Sequence, residues 1–256
     1  NTAINMSKSA YDGNDNPLEI LDKAEQSLFE LSKVNEQEKF EKIEPLLHQV
    51  LEDWTTRDKG QMLGVSSGFI DLDNMLSGFQ KSDFIVCAGR PSMGKTALAL
   101  KIARNIAIES KKSVGIFSLE MSKKQLVERL IASEAKVDSN AIRNGNLEGE
   151  HYSRITSAAD PLSKSEIYID DSAGLSIIEL RAKARQMKRE KNVDLIIIDY
   201  IQLLNAGSRI ESRQQEISLI SRMLKALAKD LGIPIIALSQ LSRAVENRTD
   251  HRPIMS

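Results

Sequence analysis

The sequence predicts an α/β fold built on a mostly parallel sheet, with helices covering both faces. Five short apolar runs are separated by stretches of helical periodicity. Within the runs apolar and polar residues hardly alternate, which is typical of parallel strands buried on both faces. The strands are predicted in DFIVCAG, SVGIFSLE, EIYIDD, DLIIIDY and IPIIALSQ, and helices at residues 96–110, 122–134, 176–190 and 211–231. A capping box of Ser176 and Glu179 marks one helix start.

The composition excludes several classes of protein. The chain has 256 residues, 41% of them apolar, enough for one large domain or a domain with an appendage. Only 4% are aromatic, which argues against a module of aromatic stacking platforms. The net charge of -1 gives no overall signature of a nucleic-acid binder, although a local basic loop would leave that total unchanged. A single cysteine, Cys87, favours a reducing compartment, and no apolar run approaches the roughly 18–20 residues that span a membrane, so no membrane partner is expected.

The N-terminal part of the chain has a different pattern, and we divide the sequence after residue 59. Residues 1–59 are predicted to form a helical linker, and residues 60–256 the α/β domain. Asn16 is a good N-cap and Pro17 a good first residue for an amphipathic helix, and a second helical stretch follows up to Trp54. These helices either pack within their own domain or dock on a neighbouring subunit, and the residues leave both possibilities open.

The run GRPSMGKT follows the first predicted strand and leads into a helix. It matches the pattern G-x-x-x-x-G-K-[ST], in which glycines let backbone N–H groups turn inward towards phosphate oxygens at a helix N-terminus. A turn that fits the pattern by chance is the alternative, and the strand-to-helix context favours phosphate binding. The predicted nucleotide-binding residues here are Gly89, Arg90, Pro91, Ser92, Met93, Gly94, Lys95 and Thr96.

Magnesium is the expected metal of this site. Asp199 ends the most apolar run of the chain, where a carboxylate is costly to bury unless it faces a cation or a cleft. The Thr96 hydroxyl is the second expected ligand, because Mg²⁺ takes hard oxygen ligands. The alternative for Asp199, which is also a predicted nucleotide-binding residue, is a turn cap at the end of a strand.

Two further polar residues lie where predicted strands end. Glu120 ends the second run and could deprotonate an attacking water, and the alternative is an acid at the start of a helix. Gln240 ends the last run and could detect a γ-phosphate through its amide. On the residues alone, an ordinary strand-end side chain explains Gln240 equally well.

A loop after Asp199 carries Gly207, Arg209 and Arg213. Arginines on a glycine-containing loop can contact the phosphates of a nearby nucleic-acid strand, and a solvated loop is the alternative. A helix face formed by Arg181, Arg185 and Lys188 is predicted to be solvated.

Together the motifs resemble the hexameric DnaB-type replicative DNA helicases, whose ATPase core is similar to that of the RecA recombinases. The resemblance runs from about residue 12 to residue 256, in five ordered blocks. They are GFIDLDNMLSGFQKSDFIVCAGRPSMGKTALALKIARNIA, IFSLEMSKKQLVERL, IYIDDSAGLSIIELRAKAR, DLIIIDYIQLL and IPIIALSQLSRAVENR. Five blocks in order are far more specific than one phosphate-binding loop.

The resemblance implies a role for each matching residue. Lys95, Glu120 and Gln240 would be the catalytic set, with Glu120 as the catalytic glutamate and Gln240 coupling the γ-phosphate to DNA-binding loops. Asp199 would be the Walker B aspartate, and the loop from Asn205 to Arg213 would line a central channel and touch DNA. The helix near Pro17 would dock on the adjacent subunit, which favours the second possibility above.

The resemblance also implies an activity and partners. The protein would be an ATP-dependent helicase that uses ATP and Mg²⁺, forms a homo-hexamer around single-stranded DNA at the replication fork, and moves from 5′ to 3′. Primase and a helicase loader would be partners. The expected location is the bacterial cytoplasm, or the stroma of an organelle that encodes its own helicase.

The sequence departs from the family pattern in three places. Ser82 stands where the family usually has glycine. An N-terminal domain is missing, and so is the block expected after RPIMS, which carries an arginine finger. We therefore expect a piece of a longer protein, with an ATPase domain truncated at its C-terminus.

Two rival functions use the same features. A recombinase-type filament former has the same core, but the SLEM and SQLSR blocks and the N-terminal helix argue against it. A nucleotide-dependent scaffold or loader would bind ATP without unwinding DNA.

Overall fold

The computed structural model describes residues 42–56, 62–206 and 212–241. The chain divides into two compact units, residues 1–62 and 63–256. In the first unit the helix α1 spans Ile43–Thr56, and the helix predicted from Pro17 lies outside the described residues. The large exposed apolar side chains of α1 are Ile43, Leu46, Leu47, Val50, Leu51 and Trp54.

The second unit is built on a five-stranded sheet in the order β1-β5-β4-β2-β3. Every neighbouring pair of strands is parallel, so the predicted parallel sheet is confirmed. Each strand lies within one of the predicted runs. The strands are β1 (Phe84–Gly89), β2 (Val114–Ser118), β3 (Ile167–Asp170), β4 (Leu195–Asp199) and β5 (Ile235–Gln240).

Seven helices of this unit are described. They are α2 (Ile70–Leu76), α3 (Lys95–Arg104), α4 (Lys123–Ala135), α5 (Ser139–Asn144), α6 (Gly149–Ser163), α7 (Ile177–Lys191) and α8 (Arg213–Leu231). A π-helical turn, Asn105–Glu109, continues α3, and a 3₁₀ turn, Ile201–Leu203, follows β4. None of the helices in the described ranges is both long enough and apolar enough to cross a membrane.

The four predicted helices correspond to α3, α4, α7 and α8, with ends that differ by a few residues. Three helices were not predicted. Both α2 and α5 are too short to show periodicity, and α6 contains Pro161, a residue that normally indicates a helix end. Only one side chain of α6, Ala158, is buried, although Ile155 and Leu162 also pack partly against core clusters.

The core lies on both faces of the sheet, as the uninterrupted apolar runs predict. Ile196 and Ile198 of β4 belong to a cluster with buried residues of α7 and α8. Leu195 and Ile197 of the same strand belong to a second cluster, with buried residues of α3 and α4. A central strand covered on both faces has no polar side to alternate with, and this explains its composition.

Side-chain caps fix where the helices begin after the strands. At the start of α7 the Ser176 hydroxyl accepts the N–H of Glu179 at 3.2 Å, and the Glu179 carboxylate accepts the N–H of Ser176 at 2.9 Å. The predicted capping box is therefore confirmed. Ser122 and Gln125 form the same arrangement at the start of α4.

The prediction that this face of α7 is solvated is wrong for Arg185. This residue is only 7% exposed, and its Nε lies 3.3 Å from Oδ2 of Asp230 in α8. Because α7 packs against α8 as well as against the sheet, a residue that would otherwise face solvent is buried and needs an acidic partner.

The strand register brings the predicted site residues to one edge of the sheet. Gly89 at the end of β1 lies opposite Gln240 at the end of β5. Ser118 at the end of β2 lies opposite Asp199 at the end of β4. In open parallel sheets this carboxyl edge is where ligands bind.

Candidate functional site

The loop predicted to bind phosphate connects β1 to α3 in a tight curve. Ser92 and Gly94 both have positive φ, +63° and +84°. Gly94 is the residue before α3 and accepts the N–H of Leu98 at 2.9 Å, the first hydrogen bond of the helix. Glycine adopts this left-handed backbone without the steric cost of a side chain. The loop residues Pro91, Ser92, Met93 and Gly94 are exposed, and Gly89, Arg90, Lys95 and Thr96 are half-buried.

The Lys95 ammonium lies inside the curve of the loop. Its Nζ donates to the carbonyl oxygens of Gly89 at 2.8 Å and of Arg90 at 3.0 Å. A fixed positive charge is thereby held at the start of α3, where the helix dipole also favours anions. The loop thus has the charge and the backbone curvature of a phosphate site.

Thr96 and Asp199 meet although 103 residues separate them in the sequence. The Thr96 hydroxyl donates to Oδ2 of Asp199 at 2.7 Å. Asp199 is only 4% exposed, and this burial raises the pKa of its carboxyl group. The hydrogen bond from Thr96 and the charge of Lys95 lower the pKa in part, whereas the negative charge of Glu120 raises it further. A hydroxyl and a carboxylate therefore converge beside the loop.

Glu120 lies on an exposed turn two residues beyond β2. Ser118 shapes the turn, because its hydroxyl donates to the carbonyl oxygen of Met121 at 2.7 Å. The N–H of Leu119 donates to the carbonyl oxygen of Asp199 at 2.8 Å, which ties the turn to the end of β4. Glu120 is close enough for its charge to act on Asp199. Two carboxylates, one buried and one exposed, therefore lie at this edge.

Gln240 lies at the exposed end of β5, next to the start of the loop. The N–H of Leu241 donates to the carbonyl oxygen of Gly89 at 3.1 Å, and Nη1 of Arg90 donates to the carbonyl oxygen of Leu241 at 3.2 Å. The side chain of Gln202 bonds the main chain of Gln240 in both directions, at 3.1 Å each. Gln202 was not predicted, although its place three residues after Asp199 in DLIIIDYIQLL was a usable signal.

Arg213 is the first residue of α8, and its guanidinium bonds the segment that follows β4. It donates to the carbonyl oxygens of Gln202 and of Leu204, the latter at 3.2 Å, and it pairs with Glu216. The Glu216 carboxylate also accepts the N–H of Ala206 at 3.0 Å. These two partners, the Ala206 N–H first, lower the pKa of Glu216. Of the predicted DNA-contacting residues, Gly207 and Arg209 lie outside the described residues.

The structure therefore brings the loop, Glu120, Asp199 and Gln240 to one edge of the sheet. Comparison with known protein families gives a match over most of the chain: residues 64–256 match the family described as "DnaB-like helicase C terminal domain". Two solved structures with this fold are similar to the chain. The first is described as an ATPase domain. It has a TM-score of 0.78 and 40% identity, and the match covers 85% of this chain and 77% of that one.

The second structure is described as "The Structure Of A DnaB-Like Replicative Helicase And Its Interactions With Primase". It has a TM-score of 0.78 and 37% identity, and the match covers 99% of this chain and 60% of that one. At these identities the likeness extends beyond the fold alone, and the predicted RecA-like P-loop fold class is confirmed.

Curated relatives agree with the family match. The replicative DNA helicase DnaC of Bacillus subtilis (strain 168) is 43% identical over 258 residues, and the replicative DNA helicase DnaB of Geobacillus stearothermophilus is 44% identical over 259 residues. Each match covers 100% of this chain but 57% of the relative, so the chain spans a little over half of their length. On the family match over residues 64–256 and on these relatives, the chain belongs to the family of DnaB-like helicase C-terminal domains.

Proposed function

We propose that this chain is the motor part of an ATP-dependent replicative DNA helicase. It would hydrolyse ATP at subunit interfaces, move along single-stranded DNA and unwind duplex at the replication fork. Relatives named as replicative DNA helicases support this activity. The observation that carries the proposal is the contact of Thr96 with Asp199 beside the loop from Gly89 to Thr96.

The residues at this edge fit ATP and Mg²⁺. The Thr96 hydroxyl and the buried Asp199 carboxylate supply the hard oxygen ligands that Mg²⁺ takes. Burial makes an unpaired charge on Asp199 unfavourable, so a cation beside it would stabilise the ionised form. When bound, the ion would neutralise charge on the transferring phosphoryl group. The loop residues would hold the phosphates through backbone N–H groups.

The side chains around the loop would supply the roles that hydrolysis requires. The carboxylate of Glu120 would accept the proton of a water that attacks the γ-phosphorus in line, and ADP would leave with the electrons of the broken P–O bond. Lys95 would stabilise the charge that develops on the phosphoryl oxygens. Gln240, at the exposed end of β5, would detect whether the γ-phosphate is present.

The same proposal covers the partners and the division of the chain. Residues 60–256 would form the ATPase domain of a homo-hexamer, and residues 1–59 an arm that docks on the next subunit. Single-stranded DNA would pass the segment that carries Gly207, Arg209 and Arg213. A similar solved structure is described with primase, which supports primase as a partner, and a helicase loader is expected besides. Because the curated relatives are bacterial, we propose the bacterial cytoplasm as its location, or the stroma of an organelle.

The test is unwinding of a labelled forked DNA by the full-length protein and by its Glu120→Gln variant. Loss of the proton acceptor should lower ATP turnover by about 10²–10⁴-fold. The dissociation constant for the nucleotide should stay within about twofold of the parent value, a change in binding free energy of less than about 0.5 kcal/mol. The reason is that Glu120 lies outside the loop from Gly89 to Thr96. Unwinding should be lost with turnover. Glu150→Gln, which changes an exposed acid in the first turn of α6, is the matched control and should unwind normally.

Two outcomes would contradict the proposal. If Glu120→Gln unwinds as fast as the parent, the catalytic assignment is wrong. If the parent binds ATP but does not unwind the fork, a scaffold or loader is the better description, and strand exchange without unwinding would indicate a recombinase.

A further inference from the structure

Gln202 makes an unusual set of contacts for a residue beyond the end of a strand. It lies in the 3₁₀ turn Ile201–Leu203, three residues after Asp199. Its Nε2 donates to the Ser239 hydroxyl at 2.8 Å and to the carbonyl oxygen of Gln240 at 3.1 Å. Its Oε1 accepts the N–H of Gln240 at 3.1 Å. The side-chain amide thus pairs with Gln240 as the main chain of a neighbouring strand would.

These contacts begin where the backbone ladder ends. The pairing of β4 with β5 ends at Ile198 and Ala237. Ser239 and Gln240 extend beyond it and are held on this side by the Gln202 side chain. The last two residues of β5 therefore depend on Gln202 for their position relative to β4.

The main chain of Gln202 is hydrogen-bonded to a different element, the helix α8. Its carbonyl oxygen accepts a hydrogen bond from Arg213, which also donates to the carbonyl oxygen of Leu204 at 3.2 Å. Glu216, one turn further along α8, accepts the N–H of Ala206 at 3.0 Å and pairs with Arg213. The first turn of α8 is thereby tied to residues 202–206 at several points.

The segment between these two sets of contacts is anchored in the core. Ile201 and Leu204 are both buried, in the cluster that α7 and α8 form on one face of the sheet. A packed segment moves as a unit, because protein interiors deform little. Displacement of one end of residues 201–204 would therefore be passed to the other end.

Water could form hydrogen bonds with the main-chain N–H and carbonyl groups of Gln240 in place of this side chain, since Gln240 is exposed. Ordering a glutamine side chain costs conformational entropy, and ordered water often costs less. The contacts of Gln202 are thus better explained if the side chain positions the end of β5 than if it only supplies hydrogen-bond partners to the main chain of Gln240.

We propose that Gln202 is a positioning residue that connects the nucleotide-facing end of β5 to the first turn of α8. It would carry a change at Gln240 to α8, and DNA bound near the start of α8 would act on Gln240 by the same contacts. The inference rests on the proposed function, in which Gln240 detects the γ-phosphate and the protein binds single-stranded DNA.

The test compares Gln202→Ala with the parent in the full-length protein. ATP turnover is measured without DNA and at saturating oligo-dT, together with the affinity for a fluorescent ADP and the melting temperature. The ratio of stimulated to unstimulated turnover should fall about tenfold. The ADP affinity should stay within about twofold, because the phosphate loop is intact. Gln186→Ala removes an exposed glutamine of α7 that bonds only Glu190 among the contacts described, and it should behave as the parent.

A second variant guards against a simple loss of folding. Gln202→Glu keeps the length of the side chain and the acceptor for the Gln240 N–H, but it places a carboxylate oxygen against the Gln240 carbonyl. It should lose the stimulation as Gln202→Ala does. Adding Arg213→Ala to Gln202→Ala should cause little further loss at saturating DNA, because both changes break the same connection.

The results separate this inference from the proposed function. If the parent hydrolyses no ATP, the proposed function fails and the inference fails with it. If the parent is stimulated by DNA and Gln202→Ala keeps the full stimulation, the inference alone is wrong. The inference would also be overturned if the loss of DNA stimulation in the double variant equals the sum of the losses in Gln202→Ala and Arg213→Ala.

Discussion

Ser82 adopts a backbone conformation that suits glycine better than serine. It lies in the turn before β1 with φ of +65°, in the left-handed region. For a residue with a Cβ this region costs about 1–2 kcal/mol. The only contact described for Ser82 is through its carbonyl oxygen, which accepts Nζ of Lys225 at 2.9 Å, and this contact does not need the side chain.

We therefore predict that Ser82→Gly stabilises the protein. The free energy of unfolding should rise by about 0.5–1 kcal/mol, because relief of the left-handed strain exceeds the added entropy of a glycine in the unfolded chain. Urea unfolding measures the change. The matched control is Ser110→Gly, where φ is -87° and no strain is relieved, and this variant should lose stability. If both variants lose stability equally, the strain at Ser82 is not significant.

Single residues of the site were predicted from the sequence to different degrees. Asp199 and Glu120 could be found because a carboxylate directly after an apolar run is unusual. That Thr96 bonds Asp199 directly could not be found, because the contact depends on how β1 and β4 are arranged around β5. Gln202 was missed because its contacts are with another strand, and its place three residues after Asp199 was the only signal that the sequence offered.

At the scale of elements, residues 65–79 form a small unit that covers the C-terminal end of the helix after the phosphate loop. Val65 and Phe79 pair as an antiparallel bridge on either side of α2. Asn105, at the start of the π-helical turn, donates to the carbonyl oxygen of Ser67 at 3.1 Å. The position of α3 therefore depends partly on a segment that precedes β1.

Asp73 of α2 organises this unit. Its buried carboxylate accepts the Ser66 hydroxyl at 2.7 Å, the Ser67 N–H at 2.8 Å and the Gly68 N–H at 3.2 Å. Burial alone would raise the pKa of this carboxyl group, but the hydrogen bonds outweigh it and hold the pKa below its usual value. The ionised form is therefore the one that stabilises the folded protein.

We predict that Asp73→Asn destabilises the protein in a pH-dependent way. At pH 7 the loss should be about 2 kcal/mol, since donors matched to a charged acceptor lose their partner. Because the folded pKa is depressed, the stabilisation by Asp73 is complete above the unfolded value of about 3.9 and is lost as pH falls through the folded pKa. The difference between parent and variant should thus be constant from about pH 5 to 7 and shrink below about pH 4.

Urea unfolding at several pH values between about 3 and 7 measures this difference. Asp71→Asn changes an exposed acid in the same helix and serves as the control, with an expected effect of about 0.5 kcal/mol or less. A loss for Asp73→Asn that stays constant down to the lowest pH would show that packing, not charge, is what Asp73 contributes.

Elements were predicted best where the pattern is long or continuous. All five strands fall in predicted runs, because buried parallel strands are apolar throughout. The π-helical turn at Asn105–Glu109 was predicted as ordinary helix, since its side chains continue the apolar spacing of α3. Short helices such as α2 carry no periodicity, and contacts made by Asp73 define it instead.

At the scale of the whole molecule, the order of the strands in the sheet could not be predicted from the sequence. The order β1-β5-β4-β2-β3 places the first and last described strands side by side, and this pairing joins residues about 150 positions apart. Local patterns carry no information on such pairing. The pairing of β1 with β5 matters for the candidate site, because it brings Gly89 opposite Gln240.

At the same scale, the charge balance constrains the proposed binding of DNA. With a net charge of -1, the chain has no general attraction for DNA, so the proposed binding would depend on a few local cations. Arg209 and Arg213 are the predicted ones. Each phosphate neutralised on a single strand contributes about -0.7 to the slope of log K against log salt concentration.

Replacing Arg209 and Arg213 by alanine should therefore weaken binding of single-stranded DNA and reduce that slope. The reduction should be about 0.7 for each arginine that contacts a phosphate, so the single variants show whether Arg213, already bonded to Leu204 and Glu216, also reaches DNA. Fluorescence anisotropy with labelled oligo-dT at several salt concentrations gives the slope. Arg189→Ala, at an exposed arginine near the end of α7, controls for the loss of one positive charge. If the double variant keeps the parent affinity and slope, the DNA path does not pass this segment, and the attraction must come from cations elsewhere in the assembled protein.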